Sequence, residues 1–302
     1  MKSKFSNPSM SHLYAFLTVL FWASAHIGTR HAVLHFSSAS LGLLRYIIAS
    51  VLLIIIGFFT KIGLPRLRDV PKFFLAGASG FTVYMITFNK GMETLTAATG
   101  SVITAISPIL CAIIAMILFH EKIRFLGWVA IVIEFGGILV LTLWDGVFSI
   151  NIGVLWMMGA ALCNAIYNLT QRKYTQTYTA LQTTTYSIVA GTILLMIFLP
   201  QAIPEVATAP PDQLWTLLYL GAIASTVPYF LWAKGMSIAR KTSDVTNYCF
   251  VTPLISTLMG ILLLNEIPNM GTLLGGVIIL GGLVMFTLVN QKDQTPRLKT
   301  KT

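Results

Sequence analysis

Apolar residues dominate ten stretches of the chain, at 13–33, 40–59, 73–91, 96–119, 125–143, 152–171, 179–199, 214–233, 244–264 and 271–289. An α-helix needs about 20 residues to cross a hydrocarbon core about 30 Å thick. The pattern therefore predicts an all-α integral membrane fold of ten transmembrane helices. Connections are short, and the longest, at about 200–213, carries Pro200, Pro204, Pro210 and Pro211 and leaves no room for a catalytic domain. The basic start, the apolar run to residue 22 and Ala23-Ser24-Ala25 imitate a cleavable leader. Cleavage there would remove a helix that the repeat described next requires, so the first span is expected to be retained.

Ser101–Leu143 recurs as Thr246–Leu288. A shift of 145 residues superimposes Pro108 on Pro253, Glu121 on Glu266, Gly136 and Gly137 on Gly281 and Gly282, and Thr142-Leu143 on Thr287-Leu288. Just upstream, Asn89-Lys90-Gly91-Met92 returns as Ala233-Lys234-Gly235-Met236. The chain thus divides into two repeats, 1–147 with helices one to five and 148–302 with helices six to ten and a short basic tail. With five spans in each, the second repeat enters the membrane from the opposite side. Secondary transporters use such inverted repeats to build a midplane site that opens alternately to either face.

Composition agrees with this reading. Of 302 residues 56% are hydrophobic and 10% charged, with mean hydropathy +0.79, whereas soluble domains carry about 25% charged residues. The net charge of +10 follows from topology, because cytoplasmic loops retain Lys and Arg. With both termini in the cytoplasm, seventeen of the twenty basic residues fall on that side, leaving Arg30, Arg45 and Lys90. No nucleic-acid partner is implied. Cys111, Cys163 and Cys249 lie in apolar stretches without metal-ligand spacing and read as packing residues, so neither metal nor cofactor is expected.

Polar positions are concentrated on helical faces, where residues three, four or seven apart align. The sixth stretch carries Asn164, Tyr167, Asn168 and Gln171, the third Tyr84, Thr87 and Gly91, and the fourth Ser101, Thr104 and Pro108. The eighth carries Ser225, Tyr229 and Trp232, and the ninth Asp244, Asn247, Tyr248 and Val251. The first offers two faces, Ser24, Gly28 and His31 or Trp22, His26 and Thr29, and the sequence does not choose between them. Each such group alone reads as interhelical glue worth about 1 kcal/mol or less. Six striped helices together suggest a ring around a polar cavity lined by Trp22, Ser24, His26, Tyr84, Thr87, Thr104, Asn164, Tyr167, Asn168, Tyr229, Trp232, Asn247 and Tyr248.

Several other residues bear on a conformational cycle. Pro108 and Pro253 each remove a backbone hydrogen bond, freeing the carbonyls of Thr104 and Cys249, and are candidate hinges. Glu134 is the one carboxylate at the centre of a stretch; it shares a face with Gly127, Ala130 and Gly137 and should point at a neighbouring helix. Proton coupling is the sharper reading for it, and an interhelical hydrogen bond the plainer one. Arg30 and Arg45 lie toward helix ends, where snorkelling competes with attraction of a substrate carboxylate. Lys90 and Lys234, equivalent in the repeat, are candidate gates with the same snorkelling alternative. Glu121 and Glu266 read as structural residues of short turns.

These features resemble the EamA-type members of the drug/metabolite transporter superfamily: Trp22-Ala23-Ser24 in the first helix, Arg45 in the second, and Pro-x12-Glu at Pro108–Glu121 and Pro253–Glu266 followed by paired glycines. The resemblance covers nearly the whole chain. It implies a bacterial inner-membrane carrier, usually an exporter of amino acids or related metabolites, with a cavity lined by helices one, three, four, six, eight and nine. The fifth and tenth helices would pack peripherally, which weakens Glu134 as a coupling residue. Partners would then be the bilayer, a small organic solute and a coupling proton or counter-solute, as monomer or homodimer. An enzyme is disfavoured, since neither H-E-x-x-H nor a nucleophile elbow occurs, and no G-x4-G-K-[ST] is present for ATP. The alternative from another class is a sensor or assembly partner that binds a solute without moving it.

Overall fold

The structure is a computed structural model that describes residues 8–119, 123, 125–144, 151–174, 177–238, 248 and 251–291. Among these residues there is no strand. Helices α1 (Pro8–Ala32) and α2 (Ser38–Thr60) are long and unbroken. Next come α3 (Val70–Gly77) and α4 (Tyr84–Thr94), joined without a break through a π-helical stretch, Ala78–Val83. Helices α5 (Ala97–Thr104) and α6 (Ser107–Phe119) are parted at Ala105 and Ile106, and α7 (Phe125–Leu143) follows. The rest of the chain forms α8 (Ile152–Tyr174), α9 (Ala180–Leu195), α10 (Leu199–Ala207), α11 (Pro211–Leu218), α12 (Val227–Ile238), α13 (Thr252–Leu264) and α14 (Met270–Gln291). A second π-helical stretch, Tyr219–Ile223, follows α11.

Local chemistry sets several of these boundaries. Thr179 and Gln182 form a reciprocal capping box at the start of α9, each side chain accepting from the other's backbone N–H. Helix α2 ends where Lys61 adopts a left-handed conformation at φ 53°, returning its N–H and that of Ile62 to the carbonyls of Phe58 and Gly57. The two prolines expected in mid-helix stand elsewhere: Pro108 is the second residue of α6 and Pro253 the second of α13. In a first turn a missing N–H removes no helical bond. The fourth apolar stretch is accordingly two helices, broken just before Pro108.

Five helical segments among the described residues are long and apolar enough to cross a membrane: Met10–Ala32, Ser38–Thr60, Ile152–Thr170, Leu181–Ala207 and Pro211–Trp232. The fourth of these runs eight residues beyond the expected 199. Phe125–Val140, Thr252–Leu264 and Met270–Phe286 are shorter apolar helices, and Ala97–Cys111 is a shorter apolar stretch that runs across the break between α5 and α6. The exterior is apolar, with Phe58, Phe59, Val132, Leu262 and Val277 exposed, while Thr18, Thr29, Ser40, Thr183, Ser187 and Ser256 are buried. Water would favour the reverse distribution; hydrocarbon permits this one. The protein is a multi-pass membrane protein.

Helix α1 packs against α12 and α13, α4 against α8, and α2 against α9. Helices α7 and α14 form a closely packed pair to one side. Tyr46, Phe81, Met92, Ile103 and Met157 are fully buried where α2, the first π stretch, α4, α5 and α8 meet.

Candidate functional site

The two faces of α1 have different partners. Ser24 hydrogen-bonds the Tyr219 hydroxyl, Gly28 lies against Leu220, and His31 pairs with Asp212 at 3.1 Å. That face is a contact with α11 and the π stretch after it. The other face looks inward: Trp22 rests on Trp232 and Tyr229, with ring centroids 5.0 and 6.0 Å apart. One turn on, His26 Nδ1 lies 3.0 Å from the Trp22 carbonyl, which only an N–H donor can satisfy, and Nε2 lies 3.4 Å from Thr104 Oγ1. Thr29 Oγ1 then accepts from Arg45 at 2.9 Å.

Aromatic rings connect these elements. Phe81 lies between Tyr229 (5.9 Å), Tyr46 (5.3 Å) and Tyr167 (4.9 Å), and His26 meets Phe88, which stacks on Tyr84. The π stretch contributes here: a methyl group at Gly80 would overlap the Tyr167 ring, so the ring lies directly on the widened turn's backbone. Tyr167 is buried in that contact, and Thr87, also buried, donates within its own helix to Val83 and Tyr84.

Asn164 and Asn168 lie 3.3 Å apart on α8. Helical spacing puts them on the side of Gly153, Met157 and Ala161, all buried, yet Asn164 is half-buried and Asn168 exposed. Trp22, Tyr229 and Trp232 are likewise only half-buried.

At the opposite end the bundle is tied together. Arg30 Nε donates to Glu266 Oε1 at 3.1 Å, and its Nη1 to the carbonyls of Met92 and Glu93 at 3.0 and 2.9 Å. Glu266 Oε2 accepts from the Ala97 N–H at 3.0 Å, and Glu93 accepts from Ser38 and from Lys90. Arg30 is therefore held by α4 and by the turn between α13 and α14, its guanidinium turned to partners in the bundle, while Glu266 also reaches α5 and does more than close its own turn. Sequence reading missed this cluster, although a helix-end arginine and a repeated turn glutamate were its visible signals.

Other expected residues lie apart. Lys90 is exposed and paired on its own helix, and Lys234 is exposed near the end of α12. Tyr248 meets His12, with centroids 5.8 Å apart, toward the start of α1. Asn247 and Glu121 lie outside the described residues. Glu134 is 1% exposed in the α7–α14 pair, and neither of its oxygens has a hydrogen-bond partner among the described residues. The expected interhelical bond is absent because the facing residue is Gly282, which offers no side chain. Arg45, expected near a helix end, is 4% exposed and reaches between α1, Met85 and Ser225. No group of three or more His, Cys, Asp or Glu among the described residues is placed to hold a metal.

The EamA-like transporter family model matches residues 9–143 and 151–288. The chain belongs to this family. Among its relatives, the "Uncharacterized transporter YdfC" of Bacillus subtilis (strain 168) is 32% identical over 272 residues, covering 90% of this chain and 88% of the relative. The "Probable terminal-alkyne amino-acid exporter" of Streptantibioticus cattleyicolor is 27% identical, covering 95% of each. The "S-adenosylmethionine uptake transporter" of Rickettsia prowazekii is 25% identical, covering 91% of this chain and 89% of its own. A solved structure titled "Crystal structure of protein" matches with TM-score 0.64 at 17% identity, covering 92% of this chain and 98% of that one, a likeness of fold. A transporter role in the membrane follows from the family.

Proposed function

We propose that the chain is a secondary transporter that moves a small organic solute by alternating access, as ten spans in two inverted repeats with both termini in the cytoplasm of a bacterial inner membrane. The carrying observation is the asymmetry of the interior. Trp22, Tyr229, Trp232, Asn164 and Asn168 face inward yet stay partly exposed, while Arg30 and Glu266 bind the other end together. One end tied and a polar-aromatic interior reachable elsewhere is the form that one half of an alternating-access cycle takes.

The favoured direction is export of an amino acid or related compound. One relative is named an amino-acid exporter and another an uptake transporter, so direction is assigned here by the exporter's higher identity and fuller coverage. The test compares metabolites inside cells and in the medium, by untargeted mass spectrometry, for wild type, the Asn164→Ala/Asn168→Ala double variant and empty vector. A solute enriched in the medium of wild-type cells and lost in the variant is expected. Enrichment inside the cells would reverse the direction, and no difference from empty vector would sink the carrier reading.

A further inference from the structure

We propose that Arg45 is the anchor for a single carboxylate on the transported solute, so that cargo is a monovalent organic acid or zwitterion seated against the Trp22–Tyr229–Trp232 rings. The proposal rests on the carrier reading and deepens it. Arg45 is 4% exposed, and every acceptor it has among the described residues is neutral: Thr29 Oγ1 at 2.9 Å, Met85 Sδ at 3.6 Å and Ser225 Oγ at 3.2 Å. Nε has no partner. The ion pairs among the described residues belong to Arg30, His31, Lys72 and Lys90. A guanidinium held away from water without a counter-charge is costly and strongly attracts an anion.

The guanidinium fork matches a planar carboxylate, which it binds through parallel N–H donors. Thr29 and Ser225 fix the fork by accepting from it, as hydroxyls do without adding charge. The side chains it touches among the described residues, Thr29, Met85 and Ser225, carry no charge. A single negative charge neutralises such a site, whereas a dianion would leave one charge uncompensated at low dielectric. Thr29, which holds Arg45, lies on the same face of α1 as Trp22, whose ring meets Tyr229 and Trp232, so the body of an anchored acid runs along the aromatic rings. A lipid phosphate shares the oxyanion chemistry and is the rival occupant.

The test combines purified protein with whole cells. Ser225→Asp supplies an internal carboxylate opposite Nη2, Arg45→Gln removes the charge, and Arg45→Lys keeps charge without the fork. Ser225→Asp is expected to melt several degrees above wild type, a gain that reverses in the Arg45→Gln background, where the new acid is unpaired. In cells, metabolites redistributed by wild type are expected all to carry a carboxylate. Their redistribution should fall about tenfold or more in Arg45→Gln and in Ser225→Asp. The proposal is overturned if those solutes lack a carboxylate, if Arg45→Gln moves them undiminished, or if Ser225→Asp melts below wild type regardless of Arg45. A phospholipid that copurifies with wild type but not with Arg45→Gln overturns it too, giving the cation to a headgroup. Should wild type redistribute nothing while the Ser225→Asp gain appears, the carrier reading falls and the anion site stands.

Discussion

At Gly282 an added Cβ would sit 2.6 Å from Glu134 Cγ, 3.0 Å from the Ala130 carbonyl and 3.3 Å from the Glu134 N–H nitrogen. The backbones of α7 and α14 approach closely here because this residue has no side chain, as they do at Gly137 against Gly275 and Ile279, an arrangement common between helices in lipid. Gly282→Ala is therefore expected to lower the melting temperature measurably, since overpacking of this kind costs about 1–3 kcal/mol. Adding Glu134→Ala should recover part of that loss, because the two changes share one contact; strictly additive melting shifts would show that the contact does not form. The inward direction of Glu134 was legible from Gly127, Ala130 and Gly137 on its face. Its lack of a partner was not, because that depends on which residue of α14 stands opposite. The same limit applies to Arg45: its position on α2 is visible in the sequence, whereas its burial is set by Thr29, Met85 and Ser225 from three other segments.

Elements carry constraints that no single residue reveals. The connection between α2 and α3 is held against the start of α9 and the segment before it. Tyr178 donates to Asp69 Oδ2 at 2.8 Å and accepts from the Arg66 N–H at 3.1 Å, while Tyr186 donates to the Gly63 carbonyl at 2.7 Å and Gln182 to that of Ile62. Hydrogen bonds from Lys72 and then Tyr178 hold the Asp69 carboxyl below the usual carboxylate range. A depressed carboxyl stabilises the fold while ionised. Its contribution is present above the ordinary value near pH 4 and fades as pH falls through the lower folded value. Asp69→Asn and Tyr178→Phe should both melt below wild type at pH 7, with the Asp69→Asn gap narrowing as pH drops below about 4. A gap independent of pH would mean that the carboxylate charge is irrelevant there. Helix existence was legible in the apolar stretches. The π stretches and the break before Pro108 were not, because the spacing of apolar residues changes little when one turn widens or restarts.

For the whole molecule, one contact joins four segments at one end of the bundle. Arg30 on α1, the terminal carbonyls of α4, the first N–H of α5 and Glu266 between α13 and α14 converge on one ion pair. Its side chains are partly exposed, at 26% and 16%, so the Coulombic share is modest and screened. What matters for function is that one pair links segments which must separate if this end is to open. The orphan carbonyls of α4 also lose their charged donor when it breaks. Neutralising either partner should shift the population toward the state open at this end, without requiring loss of the fold. Thr104 provides a reporter, being half-buried beside His26. With the native cysteines replaced, Thr104→Cys is expected to react with a membrane-impermeant thiol reagent from the Arg30 side several-fold faster when Glu266→Gln is present. Arg30→Gln should act in the same direction, and the double variant should add little to either single change, because both remove one link. Equal labelling in all backgrounds would show that the pair holds a static corner of the bundle, and alternating access would then have to work through another closure at this end.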